Sequence, residues 1–127
     1  MDKHDEVKEW ILYANNDLEA VHQLLTFNPP KIEIICYHCQ QSAEKMLKAF
    51  WVYFEIKPPK THELHLLLEK CKEIDASFGK IAEECSRLNI YSSQPRYPLG
   101  LEITESDMQV AIKDCETICK FIKNKII

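Results

Sequence analysis

Residues 37–64 read YHCQQSAEKMLKAFWVYFEIKPPKTHEL, and the fold follows from how this stretch divides. In its first half Cys39, Ala43, Met46, Leu47, Phe50 and Phe54 recur at three- and four-residue intervals, the spacing of one face of an α-helix. On the same helix Gln41, Glu44, Lys45 and Lys48 stand about one turn apart. Burying amide, carboxylate and ammonium groups is costly unless each finds a partner, so this polar row either builds an internal network or faces something polar. Pro58-Pro59 then stops the helix, because proline lacks the N–H and restricts the residue before it. Thr61 reads as the N-cap of the next helix.

Working outward, the same periodicity predicts a first helix from about Asp5 to Phe27, with Val7, Trp10, Ile11, Ala14, Leu18, Val21, Leu24 and Leu25 on one face. Asn28-Pro29-Pro30 ends it. The second helix is expected from about Lys31 to Ile56, which at 1.5 Å per residue would make a spine about 39 Å long. Leu64, Leu67, Leu68 and Cys71 mark the third, and Ser77 is expected to cap a fourth from about Phe78 to Ile90. Tyr91 to Ile103, with Pro95, Pro98 and Gly100, is the one real loop. Thr104-Glu105-Ser106-Asp107 opens the last helix with acids where the helix dipole favours them. Only two glycines occur in 127 residues, which disfavours a turn-rich β fold. The expectation is an all-α, up-and-down bundle of four to five helices forming one domain over residues 1–127, with sequential helices antiparallel.

Composition narrows the function classes. Hydrophobic residues make up 46% and charged residues 28% of the chain, as in an ordinary globular protein. A formal charge of −4 argues against non-specific binding to duplex DNA, which rests on neutralising phosphates. No apolar run reaches the roughly 20 residues that span a bilayer, and Met1-Asp2-Lys3-His4-Asp5-Glu6 lacks the apolar centre of a signal peptide. A cytoplasmic location is expected, which makes the six cysteines reduced thiols.

Several motifs invite sharper readings. Cys36-x-x-Cys39 and Cys115-x-x-x-Cys119 superficially offer four zinc-binding thiolates, but both pairs lie on apolar helical stripes where cysteine serves as a small hydrophobe. No metal and no cofactor are expected. His62-Glu63-Leu64-His65 spaces its histidines by three, not the four that a zinc-protease helix requires. Glu44 and Lys48 form a favourable i,i+4 pair, and the row would pass as a solvated face if taken alone. Against that stands Arg96-Tyr97-Pro98 in the irregular loop, since the planar fork of arginine suits bidentate capture of phosphate or carboxylate.

Taken together, the chain resembles a HEPN domain (higher eukaryotes and prokaryotes nucleotide-binding), in particular the stand-alone prokaryotic members often encoded beside a minimal nucleotidyltransferase. The residues that carry the likeness are Trp10, Ala14 and Asp17-Leu18, then His38 with Gln40-Gln41-x-x-Glu44-Lys45-x-x-Lys48. Pro59-Lys60-Thr61-His62-Glu63-Leu64, Leu88-Asn89-x-Tyr91 and Arg96-Tyr97-Pro98 follow in order. The resemblance implies a helical bundle, usually a homodimer with a polar cleft between subunits. It also implies two functions. Many HEPN proteins are metal-independent RNases in which an arginine followed four to six residues later by histidine activates a 2′-hydroxyl and stabilises the phosphate. That pair is absent here, because the last histidine is His65 while the two arginines are Arg87 and Arg96.

The sequence thus leads to a nucleotide-binding or nucleotidyltransferase-partner module of a two-gene, toxin–antitoxin-like system. The expected binding residues are Gln41, Glu44, Lys45, Lys48, His62, Arg96 and Tyr97. Lys45, Lys48 and Arg96 would take phosphate and Tyr97 would stack on a base. No catalytic residue is assigned. One alternative is an RNase toxin that pairs Arg96 with His62 or His38; another is a purely structural dimerisation domain in which Glu44 and Lys45 only fix helix register. Expected partners are a second copy, a minimal nucleotidyltransferase, and a nucleotide or RNA.

Overall fold

The computed structural model describes residues 2–92 and 102–126, and among these there are helices and connections but no strand. Helix α1 spans Lys3–Leu24, α2 Ile32–Tyr53, α3 Leu64–Ile74, α4 Ala82–Asn89 and α5 Glu105–Lys125, with a 3-10 turn over Ala76–Ile81 leading into α4. The all-helical bundle expected from apolar periodicity is what forms. No helix among the described residues is long and apolar enough to cross a membrane.

Helices α1 and α2 pack antiparallel: Trp10 lies beside Lys48, Ala14 beside Ser42 and Asp17 beside His38. Small residues allow the close approach. Ala14 and Ala43 are wholly buried, and the Ser42 hydroxyl donates to the Ala14 carbonyl at 2.8 Å. On its opposite side α2 brings Phe50 against Phe78 of the 3-10 turn, with ring centroids 4.4 Å apart. Phe78 in turn meets Phe121 of α5 at 5.1 Å, edge to face, the favoured arrangement for aromatic rings. Arg87 of α4 grips Asp114 of α5 with two hydrogen bonds of 2.9 Å, the fork-to-carboxylate geometry of a strong pair.

The helix ends depart from expectation in four places. Helix α1 stops at Leu24, short of the expected Phe27, where the Thr26 and Phe27 N–H groups bond to the Gln23 and Leu24 carbonyls in tighter turns. Helix α2 stops at Tyr53, before the prolines. The Ile56 N–H bonds back to the Trp51 carbonyl at 3.0 Å and the Glu55 N–H to the Val52 carbonyl at 2.8 Å, with Glu55 at φ 61°. This is a Schellman end with glutamate where glycine is usual, so no sequence signal marks it. Thr61 is not the N-cap of α3; its hydroxyl accepts from the Glu63 N–H two residues on, a local turn. The cap comes from α4, whose Asn89 side chain accepts the Leu64 N–H at 2.7 Å. Finally, Ser77 does not cap one continuous fourth helix. The Asp75 carboxylate accepts the Ser77 N–H and opens the 3-10 turn, and α4 begins only at Ala82. Thr104 does cap α5, in a reciprocal box with Asp107.

Candidate functional site

The polar row on α2 splits into two networks, because Glu44 and Lys45 are neighbours in sequence and point about 100° apart around the helix axis. Glu44 turns inward and is only 4% exposed. Its Oε2 accepts from Lys48 Nζ at 2.9 Å, and His62 Nδ1 lies 3.0 and 3.2 Å from its two oxygens. An ionised carboxylate only accepts, so the network assigns the Nδ1 proton to His62. Gln41 Nε2 donates to Glu44 Oε1 at 3.2 Å and to Gln40 Oε1 at 2.8 Å. Gln40 Nε2 donates to the backbone carbonyl of His62 at 2.9 Å. The segment before α3 is therefore pinned to α2 twice at His62, once through its ring and once through its carbonyl.

Lys45 belongs to the second network. It donates to Asp17 Oδ2 at 2.7 Å, while His38 Nδ1 lies 2.9 Å from Asp17 Oδ1. Asp17 is buried, whereas about a quarter of each partner side chain remains exposed. Bonding through Nδ1 leaves Nε2 of a partly exposed imidazole uncommitted, with a carboxylate behind it to fix the ring. Asp17 and His38 were legible as members of the family pattern but not as a pair, since 21 residues and a helix–helix contact separate them.

Beside the first network lies a cleft of about 520 Å³. Helix α1 supplies Glu6, Glu9, Trp10 and Tyr13; α2 supplies Lys48; the segment after it supplies Lys57, Pro58, Pro59 and Lys60. The Lys48 ammonium lies 5.7 Å from the centroid of the Trp10 ring, within cation–π range. Among the described residues neither Lys57 nor Lys60 has an ion-pair partner, and the side chains of Glu6 and Glu9 have none either. An aromatic wall, a pinned ammonium and two free ammonium groups can hold a planar ring that carries an anionic group.

Of the seven residues expected to form a site, the structure joins Gln41, Glu44, Lys48 and His62 in one network and sends Lys45 to another. Among the described ones, only Lys48 lines the cleft. Arg96 and Tyr97 lie outside the described residues. The charged and aromatic cleft residues that sequence reading did not place in a site are Glu6, Glu9, Trp10, Tyr13, Lys57 and Lys60, although Trp10 and Lys60 belong to the family pattern. The spacing of Glu6, Glu9, Trp10 and Tyr13 on one face of α1 is the signal that could have found some of them.

The cysteines are all free thiols and all buried. Burial pushes the Cys36, Cys71 and Cys85 thiols up to about 12, so none is a thiolate at neutral pH. Among the described residues no three His, Cys, Asp or Glu side chains converge as a metal site would require.

No curated protein shows a significant match to the chain. Among solved structures, it is similar to the crystal structure of ST0689, an archaeal HEPN homologue, with 23% sequence identity and a TM-score of 0.73 over 95% of this chain and 98% of that one. That likeness is one of fold. The HEPN domain family model matches residues 7–125, which takes in α1 from Val7 onward and both polar networks, leaving out the first six and the last two residues of the chain. The protein therefore belongs to the HEPN domain family.

Proposed function

We propose that this protein is the binding module of a two-gene system, a single domain over residues 1–127 that takes a nucleotide in the cleft between α1 and residues 57–60. The observation that carries this reading is the meeting of Trp10 and Tyr13 with Lys48, Lys57 and Lys60 around one cavity. The aromatic rings would stack on a base, a contact worth about 1–3 kcal/mol by alanine substitution. The ammonium groups would take the phosphate. Glu44, with His62 bonded to it, acts one step back, holding Lys48 in the cleft wall. The expected partners are a second copy and a minimal nucleotidyltransferase, checked by light scattering and by co-purification after co-expression.

A ligand that binds only the folded state stabilises it by RT ln(1 + [L]/Kd), about 2.7 kcal/mol at one hundred times Kd. Millimolar nucleotide should therefore raise the melting temperature in a concentration-dependent way. The Lys57→Ala/Lys60→Ala double variant should lose most of that shift while melting normally without ligand. An unchanged melting temperature across adenine, guanine and pyrimidine nucleotides would sink the reading.

One observation favours a second reading. His38, held through Nδ1 by Asp17 and flanked by Lys45, has the parts of a general base with an adjacent cation. As an RNase it would activate a 2′-hydroxyl without metal. In EDTA, total RNA should then be cleaved by the native protein and spared by both His38→Ala and Arg96→Ala; intact RNA with the native protein rejects this reading.

A further inference from the structure

The charges around the cleft are of both signs. Among the described residues, the cleft cations without an ion-pair partner are Lys57 and Lys60, which flank Pro58-Pro59. Proline fixes φ, so the backbone step between the two lysines is stiff while their side chains turn freely. Lys48 is committed to the Glu44 carboxylate at 2.9 Å, and much of its charge is spent there. Facing these groups, Glu6 and Glu9 line the same cavity from α1, one turn apart and without cationic partners among the described residues. With Lys48 neutralised by Glu44, the two remaining lysines are balanced by the two glutamates, a net charge of 2 − 2 = 0.

A monophosphate carries about two negative charges at pH 7, one for each of the ammonium groups of Lys57 and Lys60. A β- or γ-phosphate adds charge with no further free ammonium to meet it, and it extends into a cavity whose other wall carries two carboxylates. Like charges a few ångströms apart repel, more strongly as water is excluded. We infer that the cleft selects a nucleoside monophosphate over the di- and triphosphate, with Glu6 and Glu9 as the residues that reject the longer phosphate chain. This rests on the nucleotide reading above and names the ligand class it takes. It also fits an acidic chain of net charge −4, which has no long-range attraction for a highly charged anion.

The test is titration calorimetry of the full chain with AMP and with ATP in metal-free buffer containing EDTA, repeated with GMP and GTP. The monophosphate should bind more tightly by about tenfold, on the order expected of one uncompensated repulsion. Glu6→Gln/Glu9→Gln should raise ATP affinity several-fold more than AMP affinity, closing the gap. Equal or tighter binding of ATP by the native chain overturns the selection while leaving nucleotide binding intact. A persistent gap in the double variant overturns the assignment to Glu6 and Glu9. Absence of binding by all four nucleotides overturns both the selection and the reading beneath it. The native comparison needs no variant, so a misfolded double substitution would not rescue the idea.

Discussion

At the scale of single residues, Glu44 holds a position where its removal is felt twice. The carboxylate is buried, Lys48 beside it is 6% exposed, and each satisfies the other at 2.9 Å. Breaking a buried pair by deleting one partner is worse than never having had it, because the remaining charge has neither water nor a counterion. Glu44→Ala should cost about 3–5 kcal/mol of unfolding free energy, measured by urea denaturation at pH 7. Replacing both members with apolar residues, Glu44→Leu with Lys48→Met, should recover most of that loss. A cost below about 1 kcal/mol for the single change would mean that Lys48 reaches water once freed, as a surface pair does. The polar row itself was legible from spacing in the sequence. Its partners were not: Asp17 lies 28 residues from Lys45 and His62 lies 18 from Glu44. No local pattern encodes those pairings.

At the scale of elements, the helices follow from apolar periodicity and their ends do not. Prolines were expected to end α2, yet the chain turns at Glu55 first, in a left-handed conformation that glycine would ordinarily supply. The start of α3 makes the same point. Thr61 has the right residue type for a cap and is two residues too early, whereas Asn89 reaches over from the end of α4 to accept the Leu64 N–H. The same amide donates to Glu63 Oε2 at 2.9 Å, so one side chain secures both residues at the helix start. Asn89→Ala should destabilise the protein by about 1–2 kcal/mol, the usual cost of a lost cap. It should also speed amide exchange at the first turn of α3 more than elsewhere. Uniform exchange across the molecule would show that Asn89 acts through general packing instead. Because residues 57–62 lead into this helix, the cap also steadies the wall that carries Lys57 and Lys60.

At the scale of the whole molecule, one core runs through α1, α2, α3, α4 and α5, and all six thiols sit within it. Desolvation holds the Cys36, Cys71 and Cys85 thiols protonated far above neutral pH. Thiol reagents attack the thiolate, so labelling of the native protein at pH 8 should be slow at all six positions and should become rapid and complete in denaturant. Labelling rates that fall together when the protein is stabilised by nucleotide would show that exposure requires global opening. Prompt reaction of any one cysteine in the native state would identify a region that opens by itself.

What the sequence determined by itself is whatever depends on short range: helix-forming stripes, the proline interruptions, the Thr104 cap with its Asp107 partner, and an ordered set of motifs that marks a HEPN domain. These survive reading in one dimension because a helix repeats every 3.6 residues and its caps lie within a turn. Only the tertiary structure decided which polar residue meets which. It turned Glu44 inward and Lys45 toward Asp17, moved the α3 cap from Thr61 to Asn89, and built a cleft from Trp10, Lys48 and Lys60, residues distant in the chain. The physical reason is that a buried charge must be paired by whatever the packing of helices brings within about 3 Å, and that packing is a property of the whole core.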